Sequence, residues 1–228
     1  MKRCLICLQE LDLFQGLERV QFTNLCQCTK RKRLSKGHYL FHQGETTSTI
    51  FLIKSGKLKL VQNAEDGHES ILDICGPGEV LGELSLYQEQ NEHSSAIAME
   101  EVCTCCFSRI QFESLIKQDP SFALRIIGYL GQKRYENISN SGKEAGGTVK
   151  ERLLRLFYRL AEQYGLKTPT FTLIDLKITQ QELADMIGSS RVMVIHALNE
   201  LKTANIIDKE KRCYVLKNDP CLSAHIFE

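Results

Sequence analysis

The chain has 228 residues, of which 43% are hydrophobic and 25% charged, and a formal net charge of +1. This is the composition of an ordinary folded protein, and the length suits two domains better than one. The near-neutral total points to no polyanionic partner by itself. No apolar run approaches the ~20 residues that span a bilayer, and the start Met-Lys-Arg-Cys-Leu-Ile-Cys does not read as a signal peptide, so a cytoplasmic location is expected.

Residues 13–28 have the spacing of a short amphipathic helix, with Leu17, Val20 and Leu25 on one side. The basic run Lys30-Arg31-Lys32-Arg33 reads as a solvated strand entry. From Arg33 to about Ile110, short apolar runs alternate with glycine-containing turns. Thr49–Ile53 is β-rich, Ser55-Gly56 turns the chain, and Lys57–Val61 alternates with period two. Asp66-Gly67 predicts a hairpin whose return strand is Glu69–Ile74. Closely spaced strands with glycine turns predict an antiparallel barrel or jelly roll.

Helical spacing returns over 108–118, and Asp119-Pro120 marks the start of another helix, with Asp119 as N-cap. That helix is predicted from Ser121 to about Lys143. Ala123, Ile127, Leu130, Arg134, Asn137 and Ser141 recur at coiled-coil spacing. So long a helix with one apolar stripe normally needs a partner, so it is expected to form a dimer. Gly142 and Ala145-Gly146-Gly147 read as a hinge. An amphipathic helix over 148–164 carries Val149, Leu153, Leu156, Phe157 and Leu160, and Gly165 is expected to terminate it. Phe171–Leu173 is a short strand.

Residues 179–207 are the most informative stretch. Thr179 and Glu182 form a capping box, Leu183, Met186 and Ile187 supply an apolar face, and Gly188 permits a sharp turn. Ser189 or Ser190 then caps a second helix, in which Val192, Val194, Ile195, Leu198 and Leu201 are more apolar residues than one face needs. This is the spacing of a helix-turn-helix. Asn205–Asp208 and Cys213–Leu216, with Lys209, Lys211 and Arg212 between them, read as a wing. The second helix offers its first turn to a DNA groove, so the predicted DNA-contacting set is Thr179, Gln180, Ser189, Ser190, Arg191, Val192, Met193, His196 and Lys211.

Together with LSKGHYLFHQGE (34–45), IFLIKSGKLKL (50–60) and GPGEVLGELSLY (76–87), this stretch resembles the superfamily of the cyclic AMP receptor protein and the fumarate-nitrate reduction regulator (CRP/FNR) over about residues 13–217. The resemblance implies an α+β chain. It comprises an N-terminal antiparallel β-roll, like the cyclic-nucleotide-binding jelly roll, a long dimerisation helix and a C-terminal winged helix-turn-helix. The expected domains are 1–118 for sensing, 119–146 for dimerisation and hinge, and 147–228 for DNA binding. It further implies a homodimer on a double-stranded promoter operator that meets RNA polymerase, with no membrane partner. No nucleophile–base motif, phosphate loop or closed catalytic zinc pattern suggests an enzyme. The competing reading is a β-roll small-molecule module whose C-terminal domain binds protein rather than DNA.

The effector pocket implied by the resemblance comprises Gly82, Glu83, Leu84, His93 and Ser94. Cyclic-nucleotide-binding relatives carry Arg where His93 stands, and a neutral imidazole poorly replaces a fixed guanidinium on a phosphate. The dimer-helix positions expected to carry adenine-contacting hydroxyls are Asn137 and Ile138. Cyclic AMP is therefore not the expected effector. In the second helix the family's usual Glu and second Arg are replaced by Val192 and His196.

Ten cysteines are many for a reducing compartment, where a disulfide framework is not expected. Iron–sulfur relatives hold their cluster with N-terminal cysteines and one β-roll cysteine. By that resemblance the ligand set is Cys4, Cys7, Cys105 and either Cys28 or Cys26. Zinc or a dithiol switch on the same residues, haem on His38, His42 or His93, and an organic ligand are the alternatives. A signal carried by redox state, oxygen or nitric oxide is thus favoured over cyclic AMP. Cys75, Cys213 and Cys221 are expected simply to pack.

Overall fold

The computed structural model describes residues 30–64, 67–83, 90–144 and 146–217. The predicted helix at 13–28 lies outside them, as do Cys4, Cys7, Cys26, Cys28, Asp66, Leu84, Ala145 and Cys221. The chain forms two compact units, one ending at Glu136 and the other beginning at Asn137.

In the first unit the described strands are β1 (Lys30–Leu34), β2 (Tyr39–Phe41), β3 (Thr46–Thr47), β4 (Thr49–Ser55), β5 (Leu58–Asn63), β6 (Glu69–Cys75), β7 (Val80–Leu81), β8 (Gln90–Asn91), β9 (Ser95–Ala98) and β10 (Val102–Ser108). They pair antiparallel in the orders β1-β10-β4-β7 and β2-β9-β5-β6, with β3 and β8 as a separate ribbon. This is the expected roll. Alternation along β4 explains its near-continuous apolar sequence. Phe51 and Ile53 join Leu40, Leu58 and Ala96 in one core cluster. Ile50 and Leu52 point the other way, into a cluster with Phe107, Phe112, Leu115 and Phe122. The basic run forms edge strand β1, exposed from Lys30 to Arg33, as predicted. Charged side chains on such an edge discourage pairing with other chains.

The roll leads into α1 (Arg109–Gln118) and α2 (Ser121–Glu144). Asp119 accepts from the Ser121 backbone N–H at 3.0 Å and pairs with Arg125 at 2.7 Å, which fixes the start of α2. Phe122, Ile126, Tyr129 and Lys133 recur at helical spacing and face the roll: Phe122 and Ile126 are buried, the Val80 N–H donates to the Tyr129 hydroxyl at 3.0 Å, and Lys133 pairs with Glu79. Ile127, Leu130 and Arg134 of the predicted seam are exposed, as are Leu124 and Tyr135 beside them.

The second unit comprises α3 (Val149–Tyr164), β11 (Gly165–Lys167), β12 (Phe171–Ile174), α4 (Gln180–Ile187), α5 (Arg191–Thr203), β13 (Ile207–Glu210) and β14 (Cys213–Lys217), with sheet order β11-β12-β14-β13. Thr148 caps α3 in a capping box with Glu151. Leu153, Leu156, Phe157 and Leu160 are buried, and the Phe157 ring packs 4.9 Å from Tyr214. Gly165 ends α3 as expected, with a φ of −82°. Glycine is required there by close approach, because a Cβ would run into the Ala161 carbonyl and the Thr172 methyl as the chain turns into β11. The first wing strand begins at Ile207 rather than Asn205, since Asn205 takes φ 58° to end the α5 segment.

Candidate nucleic-acid interface and sensor pocket

The local signals at 179–191 produce the helix-turn-helix directly. Thr179 accepts from the Glu182 N–H at 3.1 Å while its own N–H donates to the Glu182 carboxylate at 2.9 Å. Gly188 ends α4 with φ 59° and ψ 52°, a conformation that penalises any residue with a Cβ. Arg152 on α3 donates to the Ile187 carbonyl at 2.8 Å, pinning the end of α4 to the helix before it. Of the two candidate caps, Ser190 is the one used, accepting from the Met193 N–H at 3.3 Å.

Helix α5 then sorts its surplus of apolar residues. Val194, Ala197, Leu198 and Leu201 are buried, whereas Arg191, Val192, Met193, His196 and Asn199 are exposed. Thr179 and Ser190 are also exposed, and Gln180 and Ser189 are half-buried. The wing turn is the two-residue Lys211-Arg212 connection between the paired Glu210 and Cys213. Both turn residues are exposed, and Lys211 takes φ 55°. Lys209, predicted as part of the basic turn, lies in β13 with its ammonium 5.2 Å from the Tyr214 ring. Exposed cations, hydroxyls and the capped N-terminus of α5 form a surface that can hydrogen-bond to phosphates and base edges.

In the roll, Gly82 is buried with φ 74°, and a Cβ there would sit 2.5 Å from the Thr49 carbonyl oxygen. The glycine is therefore demanded by the β4–β7 pairing, as expected for turn geometry. Glu83 follows, half-buried, and burial raises its carboxyl above the ordinary carboxylate range. His93 is exposed and Ser94 half-buried. Beside them stands Glu92, whose N–H donates to the Glu45 carbonyl at 2.9 Å. Burial, followed by the Glu83 and Glu45 carboxylates, pushes Glu92 up to about 7. Sequence reasoning missed Glu92 and Glu45. Glu92 adjoins His93 in the chain, but its approach to Glu45 depends on the β3–β8 pairing of Thr46 with Asn91.

Residues 31–119 match the family model described as a cyclic nucleotide-binding domain, and residues 151–223 match the Crp-like helix-turn-helix domain. This chain belongs to the CRP/FNR family. Family members are transcription regulators rather than enzymes, with a DNA-binding helix-turn-helix behind a cyclic-nucleotide-binding-type sensor. The chain is 26% identical over 216 residues to a CRP-like cAMP-activated global transcriptional regulator of Mycobacterium tuberculosis (strain ATCC 25618 / H37Rv), covering 95% of this chain and 96% of that one. It is 29% identical over 199 residues to the cyclic AMP receptor protein of Thermus thermophilus, covering 86% and 87%. The solved c-di-GMP-responsive global regulator CLP of Xanthomonas campestris shares the fold, with a TM-score of 0.74 at 20% identity over 89% of this chain and 100% of that one.

Within this CRP/FNR sensor, the single described member of the predicted iron–sulfur set is Cys105. It is 4% exposed and packed in the apolar cluster with Ile50, Leu52 and Phe107. The other members of that set lie outside the described residues. Among the described residues, no group of three or more His, Cys, Asp or Glu is placed to hold a metal ion. The haem candidates His38, His42 and His93 are all exposed, and His42 stacks on Tyr39 at 4.1 Å. Cys75 is buried as predicted, and burial pushes its thiol up to about 12. Cys213 is half-buried in β14, as are Cys103 and Cys106 in β10. Among the described residues, no helix is long and apolar enough to cross a membrane.

Proposed function

We propose that this chain is a homodimeric cytoplasmic regulator whose promoter binding is controlled by a signal received in the β-roll, and that this signal is not cyclic AMP. Residues 1–118 sense, 119–146 dimerise and 147–228 bind DNA. The DNA contacts come from Thr179, Gln180, Ser189, Ser190, Arg191, Val192, Met193, His196 and Lys211. Two copies join along the exposed α2 face carrying Leu124, Ile127 and Leu130, and the bound dimer meets RNA polymerase.

The names of the Mycobacterium and Thermus relatives argue for cyclic AMP. The observation that carries the opposite reading is position 93, where an exposed imidazole stands in place of a guanidinium, next in the chain to Glu92, whose carboxyl is coupled to those of Glu83 and Glu45. Isothermal titration of cyclic AMP into the full-length protein tests this directly. No binding heat is expected with the wild type, and a measurable signal is expected from His93→Arg. Micromolar binding by the wild type would overturn the reading. DNA binding is tested by gel shift on the protein's own promoter region, where Arg191→Ala should weaken the specific complex. No complex in any redox state would favour a protein partner for the C-terminal domain, whereas a specific complex that Arg191→Ala leaves unchanged would remove Arg191 from the contacts.

A thiol-borne redox signal is the second reading. Half-burial of Cys103 and Cys106 favours it, since reagents reach them more readily than the sealed Cys75 and Cys105. Mild oxidation should then change DNA affinity in the wild type but not in a Cys103→Ser, Cys106→Ser double variant.

A further inference from the structure

The first turn of α5 carries a combination that generic phosphate binding does not explain. Val192 is 63% exposed and Met193 50%, although Val194 next to them is fully buried. Two large apolar side chains thus stand in solvent between the cap Ser190, the cation Arg191 and the exposed His196. The buried set Val194, Ala197, Leu198 and Leu201 fixes the rotation of the helix. Val192 and Met193 therefore cannot turn inward without expelling the core of the unit.

We infer that Val192 and Met193 read the C5-methyl group of a thymine in each operator half-site, deepening the proposed DNA-binding function, on which this inference rests. The major-groove edges of guanine, adenine and cytosine present hydrogen-bonding groups, and thymine alone adds a methyl group. Valine has neither donor nor acceptor. Placed over a cytosine, it would cover the N4 amino group without satisfying it, whereas against a thymine it buries hydrocarbon on hydrocarbon. Arg191, one residue earlier, supplies the fork for a guanine or a phosphate. The half-site is accordingly read at Val192 by loss of apolar surface, not by a carboxylate accepting from cytosine.

The test begins by selecting binding sites from a random duplex library with the purified full-length protein, in reducing and in oxidising buffer. Each half-site thymine is then replaced singly by uracil, which deletes the methyl group and leaves base pairing intact. Affinities are measured by fluorescence anisotropy. Burial of one methyl group corresponds to about a fourfold loss at the thymine being read, and about fifteenfold when both half-sites are changed. In a Val192→Ala, Met193→Ala protein the same uracil substitution should have no effect, because the contact is already gone. Enrichment of a defined site at which no thymine methyl matters, or a methyl effect that persists in the double variant, overturns the inference and leaves the DNA-binding function standing. Failure to enrich any sequence overturns that function itself.

Discussion

Glu92→Gln isolates the electrostatics of the sensor pocket. The Glu92 carboxyl rises from an ordinary 4.5 to about 7, first through burial and then through Glu83 and Glu45. In the window between those values the folded protein holds a proton that the unfolded chain has released. Stability therefore falls as pH rises through the window, and the full penalty is present above about 7. Felt in full, such a rise is worth about 3 kcal/mol. Glu92 is only half-buried, and solvent screening reduces the expectation to about 1 kcal/mol. Glutamine carries no charge at any of these pH values. The variant should thus gain about 1 kcal/mol over the wild type between pH 5 and pH 8. Urea denaturation followed by circular dichroism at each pH gives the difference, and only the transition of the β-roll should move. A gap that stays constant, or narrows as pH rises, would refute the reasoning.

Two glycines with left-handed backbones should respond differently to alanine. Gly188→Ala has open space around the new Cβ and should lose about 1 kcal/mol by urea denaturation from backbone strain alone. Gly82→Ala adds a clash with the Thr49 carbonyl and should lose about 3 kcal/mol; equal losses would contradict this account of the roll. Tyr129→Phe leaves the Val80 N–H without its acceptor and should destabilise the first unit by about 1–3 kcal/mol, read as faster hydrogen exchange at Val80; unchanged exchange would remove the hydroxyl from the account. In thiol labelling at pH 8, Cys103 and Cys106 should react ahead of Cys75 and Cys105, and early labelling of Cys75 would contradict its burial and its raised thiol.

The DNA-binding unit was legible in the sequence because its signals are local. A capping box spans three residues, the Gly188 turn is a single conformation, and Ser190 lies one step before the helix it caps. Even there, the close contacts at Gly165 were not legible, because they bring the Ala161 carbonyl in the last turn of α3 together with the Thr172 methyl of the neighbouring strand. The sensor was legible as an architecture and much less so as chemistry. In β10, Thr104 and Cys105 point to opposite faces and both are buried, so alternation cannot tell which cysteine faces which core. Cys105 is buried in the cluster with Ile50 and Phe107, and the other members of its predicted ligand set lie outside the described residues.

The same limit hid the link between the pocket and α2. The segment from Gly76 to Glu83 is held at successive points. The Gly76 N–H and the Lys133 ammonium both engage the Glu79 carboxylate, the Val80 N–H donates to Tyr129, and Gly82 leaves no room for a Cβ beside the Thr49 carbonyl. Glu83 thus follows directly on a loop that is already fastened to α2. The Lys133–Glu79 pair joins residues 54 apart in sequence, and no short motif announces it. Tyr129 and Lys133 thus hold the loop that leads to Glu83 on one side of α2, while the exposed Leu124 and Ile127 lie on another side of the same helix. Contacts of this kind pair residues distant in the chain, which is why helical periodicity showed the apolar stripe of α2 but not what its other side engages.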